Sequence, residues 1–328
     1  MQRIHFTIAD ATRVRIVVLG ELAELQLSFA RLQPGGPQPL FDAWRARTAG
    51  AARLLSPDVR EVARLLAPPA SGLLDLFTLV GEGGELAEGI DRLYRTPPGP
   101  LRRELSELGE PTGWIGDFTD GDRGARQRLT RALTDYHHVA VGPYWPRIRA
   151  VLDRERAARV DLMARHGLDA MLTSLAPKLI WRAPVLEVPE SISQHADIHL
   201  AGRGLLLAPS VFSRPDPGLF LPWHDGPALL IYPVAVDAPA ALRLWHRTGE
   251  PGDRALAGLL GATRAAALRE IAAGCTTGEL ARRLGISAGG ASQHATVLRE
   301  AGLVESRRHR NTVRHSITSL GVHLLNAA

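Results

Sequence analysis

Ile4, Phe6 and Ile8 alternate with polar neighbours near the start of the chain, and that period of two predicts a strand. Further on, apolar positions recur every three or four residues over roughly 20–33, 40–55 and 58–67. These stretches predict helices, punctuated by PGGP at 34–37 and APPA at 67–70. Residues 71–122 are broken by Gly and Pro, with short helices expected near 83–95 and 100–108. A long helical region follows from about 123 to 175. It is interrupted at Gly142–Pro146, where Pro143 can start a new helix and Pro146 still falls in its first turn. After Pro177 the pattern changes to short apolar runs, KLIWRAPVLEV, ADIHL, GLLLAPSVF and PALLIYPV. Residues 178–234 therefore read as a small β-sheet. Residues 237–253 read as a connection between an N-terminal domain, 1–236, and a C-terminal domain, 254–328.

The C-terminal part carries the sharpest local signals. An Ala/Leu-rich helical segment, 255–273, contains Gly261 as a possible break. Thr276-Thr-Gly-Glu279 fits a capping box, with a hydroxyl at the N-cap and a carboxylate three residues on. It opens a short helix, about 277–283, which Gly285 ends in the left-handed conformation. Ile286 fills the turn, and Ser287 caps the next helix, 288–300. On that helix Ala291, Ala295 and Leu298 share one side and predict the core face. Gly289, Ser292, Gln293 and Thr296 share the other. They lie near the N-terminal end, the part of a recognition helix that meets base edges. Gln293 can pair with adenine through two hydrogen bonds. Gly289 and Gly290 add no side chain and let the backbone come close to a partner, while His294 sits at the edge of the core face. After Gly302, LVESRRHRNTVRHSI reads as a two-stranded hairpin with Arg307, Arg308 and Arg310 near its tip. That is a wing suited to flanking phosphates or the minor groove.

A second signature overlaps the first, because GISAG at 285–289 also fits the G-x-S-x-G pattern of a serine hydrolase. That elbow needs a strand before its serine. Here a helix precedes Ser287 and no oxyanion loop is visible, so the capping role is preferred. Charge agrees with a polyanion partner. The chain has 39 basic and 34 acidic residues, net +5. From Arg254 onward ten arginines stand against four glutamates, so the whole positive excess lies in the last quarter. No apolar run approaches a membrane span, and no signal pattern opens the chain, so a cytoplasmic location is expected. Cys275 is the only cysteine, which excludes an intramolecular disulfide; it reads as a packed small residue.

Residues 256–317 resemble the winged helix of the ArsR family of bacterial repressors. GATRAAALREIA is similar to the family's first-helix pattern, with Ala262 where a proline is usual. ISAGGASQHATVLREAGLV is similar to its recognition helix and the turn into the wing. The resemblance implies a homodimer that binds an inverted repeat in double-stranded DNA as a repressor released by a ligand. The family's metal sites do not carry over. Thr276 and Gly278 stand where its thiolate pair would align, and the C-terminal segment offers only His323. No metal and no cofactor are expected.

The N-terminal region resembles the long domain of undefined function found in some ArsR-type regulators. The similarity lies in Tyr144-Trp145-Pro146-Arg147 and in the run from Asp197 to Phe212, DIHLAGRGLLLAPSVF. Trp114, Tyr136, His138, Tyr144, Trp145, Trp181 and Trp223 are candidates to line a pocket for an apolar or aromatic effector; core packing is the alternative for each. Metal spacing is poor: His137 and His138 diverge on a helix, and Asp117, Asp120 and Asp122 lack the spacing of a calcium loop. No P-loop, dinucleotide fingerprint or triad order appears, so an enzyme is not expected. The fold class expected is α+β: a mostly helical N-terminal region with a small β-sheet, then a C-terminal winged helix-turn-helix. The expected function is a DNA-binding transcriptional regulator. Control by abundance or by a protein partner is the alternative to a small-molecule effector.

Overall fold

A computed structural model of the chain describes residues 2–33, 38–66, 80–81, 83–99, 101–102, 114–175, 177, 179–188, 196–222, 226–245, 251–272, 274–309 and 312–327. They form an α+β structure that divides into two compact units. One is Met1–Gly36 with Arg47–Ala235; the other is Pro37–Ala46 with Val236–Ala328.

The first unit holds two four-stranded sheets where one was expected between 178 and 234. The extra strands come from the N-terminus. Strand β1 (Gln2–His5) lies antiparallel to β4 (Val185–Val188) and parallel to β5 (Ala196–His199). With β3 (Ile180–Arg182) the order is β3-β4-β1-β5. Of the three alternating residues, Ile4 and Phe6 are buried. The strand ends at His5, however, and Ile8 opens a short helix and is exposed, because the Thr7 cap starts that helix. Arg3 is exposed and bonds Asp197 across the outer face. Strands β2 (Arg15–Ile16), β6 (Leu205–Ser210) and β8 (Ala228–Pro233) run parallel, with β7 (Gly218–Phe220) antiparallel at the edge. Both long members, LLLAPS and ALLIYP, are almost wholly buried, as continuous apolar runs in a parallel sheet should be. Ile4, Leu186, Leu207 and Leu230 join Met171 and Leu172 in one core.

Helices supply the rest of this unit. They are α1 (Ile8–Ala11), α2 (Glu21–Leu32), the second half of α3 (Asp42–Ala52), whose first half belongs to the other unit, α4 (Pro57–Leu66), α5 (Leu86–Arg95), α6 (Trp114–Thr119), α7 (Arg123–Ala140) and α8 (Trp145–Thr173). Between α7 and α8 the expected interruption is a short 3-10 turn, Gly142–Tyr144, with Pro at its start. The expected helix at 100–108 falls mostly outside the described residues. Helix α2 is buried on every side and begins at Gly20, whose φ is 94°. A Cβ there would lie 2.7 Å from the Gly83 backbone, so only glycine fits this approach. Glu24 of α2 accepts the amides of Val211 and Phe212, and Arg31 donates to the carbonyls of Phe212 and Ser213. The polar groups of α2 thus cap the ends of the chain leaving β6.

The second unit contains α9 (Ala238–Trp245), α10 (Pro251–Leu260), α11 (Ala262–Ala272), β9 (Cys275–Thr276), α12 (Thr277–Leu284), α13 (Ala288–Glu300), β10 (Val304–His309), β11 (Thr312–Ile317) and α14 (Ser319–Ala327). The stretch read as a connection is therefore partly the helix α9, which packs on α11 and α14. Its Trp245 stacks at an angle with Phe41 and Trp44, and the indole N–H donates to the Leu40 carbonyl at 2.6 Å. This cluster explains why Pro37–Ala46 belongs to the second unit. Gly261 separates α10 from α11, as expected.

Candidate nucleic-acid interface

Every boundary of the helix-turn-helix has a local cause. Thr276 accepts the Glu279 amide, and the Glu279 carboxylate accepts the Thr276 amide at 2.8 Å. Those bonds hold the Glu279 carboxyl below its ordinary range. Gly285 ends α12 at φ 66°, ψ 31°, the left-handed cap that glycine takes without steric penalty. Ile286 then returns its amide to the Ala281 carbonyl. The Ser287 hydroxyl accepts the Gly290 amide at 3.1 Å and starts α13. Ser287 is thus bound up as a cap at a helix-to-helix turn, which is not the strand-to-helix elbow of a hydrolase.

The two sides of α13 differ as the wheel requires. Ala291, Ala295 and Leu298 are buried against Leu268, Ile271, Leu280 and Cys275. Gly289, Ser292 and Gln293 are exposed; Gly290, His294 and Thr296 are half-buried. Ser292, Gln293 and Thr296 thus lie on the side of α13 away from its core residues. Cys275 is buried, and burial pushes its thiol up, away from the thiolate that binds metals.

The wing is a two-stranded hairpin in which Val304 opposes Ile317 and His309 opposes Thr312. Arg307 and Arg308 are exposed, and they point to opposite faces because they are consecutive in a strand. Arg310 lies outside the described residues. Arg307 directly opposes Arg314, which is also exposed. Arg307 has an exposed carboxylate partner, Glu305, at 3.8 Å. An ion pair open to water holds its arginine only weakly, so both arginines of the register can turn to an anion. Arg314 was not singled out in the sequence, although its place opposite Arg307 follows from hairpin register. His315, on the inner side of the same strand, was also passed over; a histidine at the centre of the alternating run Val313, His315, Ile317 is the signal for it.

The effector candidates fall in several environments of the first unit. Trp114 is buried, donates to Glu61 and lies under the Arg128 guanidinium. Tyr136 is buried, stacks on Phe29 and shares a 3.1 Å hydrogen bond with Ser28. Tyr144 is buried, Trp145 is half-buried and His138 is exposed. Trp181 is half-buried on β3 and donates to Asp169. Trp223 lies outside the described residues. A crevice beside the start of α2 is lined by Leu19, Glu21, Gln26, Val80, Gly84 and Gly89 among others, and by none of the six described candidates. Among the described residues no three His, Cys, Asp or Glu side chains gather in a way that could hold a metal ion. None of the described helices is long and apolar enough to cross a membrane.

Residues 260–314 match the model of the MarR family. The match runs from the last residue of α10 into β11 and covers the helix-turn-helix and most of the wing. It supports a DNA-binding transcriptional regulator of the winged-helix class, and leaves the N-terminal region undefined. It gives no support to the ArsR assignment suggested by the motifs. No curated protein and no solved structure matches the chain.

Proposed function

We propose that the protein is a sequence-specific regulator that binds an inverted-repeat operator as a homodimer and represses transcription. In this reading α13 enters the major groove. Gln293, Ser292 and Thr296 meet base edges there, and Gly289 brings backbone near the duplex. Arg307, Arg308, Arg310 and Arg314 take flanking phosphates, with Ser287 and Gly290 forming the helix start. The observation that carries the reading is the division of α13 into a sealed apolar side and an exposed polar side, beside a hairpin whose exposed arginines oppose each other. The first unit senses a small apolar or aromatic effector in this proposal, and no catalytic step is assigned to it.

Selection of duplexes from a random pool by the full chain tests the proposal. The expected product is an inverted repeat with half-sites about one helical turn apart, ~10 base pairs. A pool that stays random after repeated selection contradicts it. Adding candidate aromatic effectors to the selected complex tests the sensing role, because an effector that weakens DNA binding must itself bind less tightly when DNA is present.

A further inference from the structure

His315 occupies an unusual place for a polar ring. It is buried at 4% exposure in the middle of β11, among strand neighbours that are mostly exposed. Its Nε2 lies 2.9 Å from the Thr277 hydroxyl in the first turn of α12. Its Nδ1 lies 2.8 Å from the Ser306 hydroxyl on β10. Its backbone opposes Cys275 of β9. One side chain therefore joins both strands of the wing to the helix-turn-helix. Burial, aided by the Arg299 charge, holds the imidazole below its ordinary pKa, so it is neutral at pH 7. A neutral ring has one N–H and one lone pair, and hydroxyls satisfy either. The base of the wing is packed, with Val304 in the core and Ile317 against it, and His315 is the buried residue further along β11. Strand β9 pairs only with Arg314 and His315, and among the described residues 305–308, 312–314 and 316 none is buried.

We infer that His315 is a positioning residue for DNA binding, which through Thr277 and Ser306 fixes the angle of the arginine-bearing wing against the recognition helix. The inference rests on the DNA-binding reading above. Direct contact with the duplex is not its role, because the ring is sealed. It sets where Arg307, Arg308 and Arg314 stand when Gln293 is in the groove. A wing free to swing costs ordering entropy at each phosphate contact, so those contacts are lost while base readout by α13 persists.

The test uses the full chain and the selected duplex, with three variants: His315→Ala, Ser306→Ala and Thr277→Val. In His315→Ala the slope of log affinity against log salt falls by ~2, the share of two to three phosphate contacts. Discrimination between preferred and altered bases stays as in the wild type. Adding His315→Ala to an Arg307→Ala/Arg308→Ala variant changes the slope little further. Ser306→Ala and Thr277→Val show the same loss in smaller degree, and they decide the matter if His315→Ala does not fold. His315→Gln, which still reaches one hydroxyl, restores part of the slope. A second readout needs no DNA: trypsin cuts after Arg307 or Arg308 faster in the folded variants than in the wild type. Wild-type salt slopes together with wild-type cutting rates overturn the inference. A wild-type chain that binds no duplex overturns the DNA reading instead, and the cutting rates then decide whether His315 holds the wing.

Discussion

At the residue scale, Gly289 and Ser287 separate the demands of folding from those of binding. A Cβ added at Gly289 meets nothing within 4 Å, and the residue is helical. Gly289→Ala should therefore stabilise α13 by up to ~1 kcal/mol, because glycine is the poorer helix former. The same methyl stands between backbone and duplex, so DNA affinity should fall while the melting temperature rises. Calorimetry and fluorescence anisotropy on one preparation check this; a rise in stability with unchanged affinity would place Gly289 away from the groove. Ser287→Ala should act the other way. It removes the cap on the Gly290 amide, at a cost of ~1 kcal/mol, and weakens binding only through the helix start. Urea unfolding measures that cost directly. These residues were legible in the sequence because caps and glycines act over three or four positions.

At the scale of the element, α2 shows what the local pattern did not reveal. The sequence marks it as a helix, and the structure agrees over Glu21–Leu32. Yet Glu24, Gln26, Ser28 and Arg31 are buried. Ser28 reaches Tyr136, and Glu24 and Arg31 reach 211–213; these partners sit far along the chain, and no periodicity points to them. Glu24 has a consequence for pH. Full burial pushes its pKa from 4.5 up to about 7, against the Ser210 hydroxyl, two amides and Arg31. Between those values the folded chain keeps a proton that the unfolded chain releases. Stability from this group is therefore complete below the lower value and is lost as pH rises through about 7. Urea unfolding at pH 5 and pH 8 should show the wild type losing more stability than Glu24→Gln over that interval; equal losses would show that Glu24 is ionised throughout. The wing illustrates the same limit. Its strands were readable, but the short strand β9 that pairs with β11 was not, since two residues make no pattern.

For the whole molecule, the winged helix was readable almost to the residue, whereas the membership of Pro37–Ala46 in the second unit was not. Leu40 and Trp245 are 205 residues apart, and only the folded chain brings the carbonyl to the indole. The sheets were misjudged for a related reason: β1 and β2 enter from the N-terminus and complete two sheets where the apolar runs alone suggested one. Trp44 has 0% exposure in the aromatic cluster with Phe41 and Trp245. Trp44→Ala should cost ~3–5 kcal/mol, the usual loss for a large aromatic core residue. It should lower the fraction of protein able to bind duplex, although position 44 lies far from the helix-turn-helix in sequence. Urea unfolding followed by a duplex titration checks both; loss of neither would show that Pro37–Ala46 is not needed by the second unit.

The central claim is that α13 reads bases while the wing holds phosphates. The measurement that addresses it most directly compares Gln293→Ala and Arg308→Ala with the wild type, on preferred and unrelated duplexes across a range of salt. Gln293→Ala should lose ~1–3 kcal/mol on the preferred duplex alone, at one base position in each half-site, with the salt slope unchanged. Arg308→Ala should weaken binding to every duplex and lower the slope by ~1. If both variants lose the same affinity on both duplexes, with the same change in slope, the division of labour between helix and wing is contradicted.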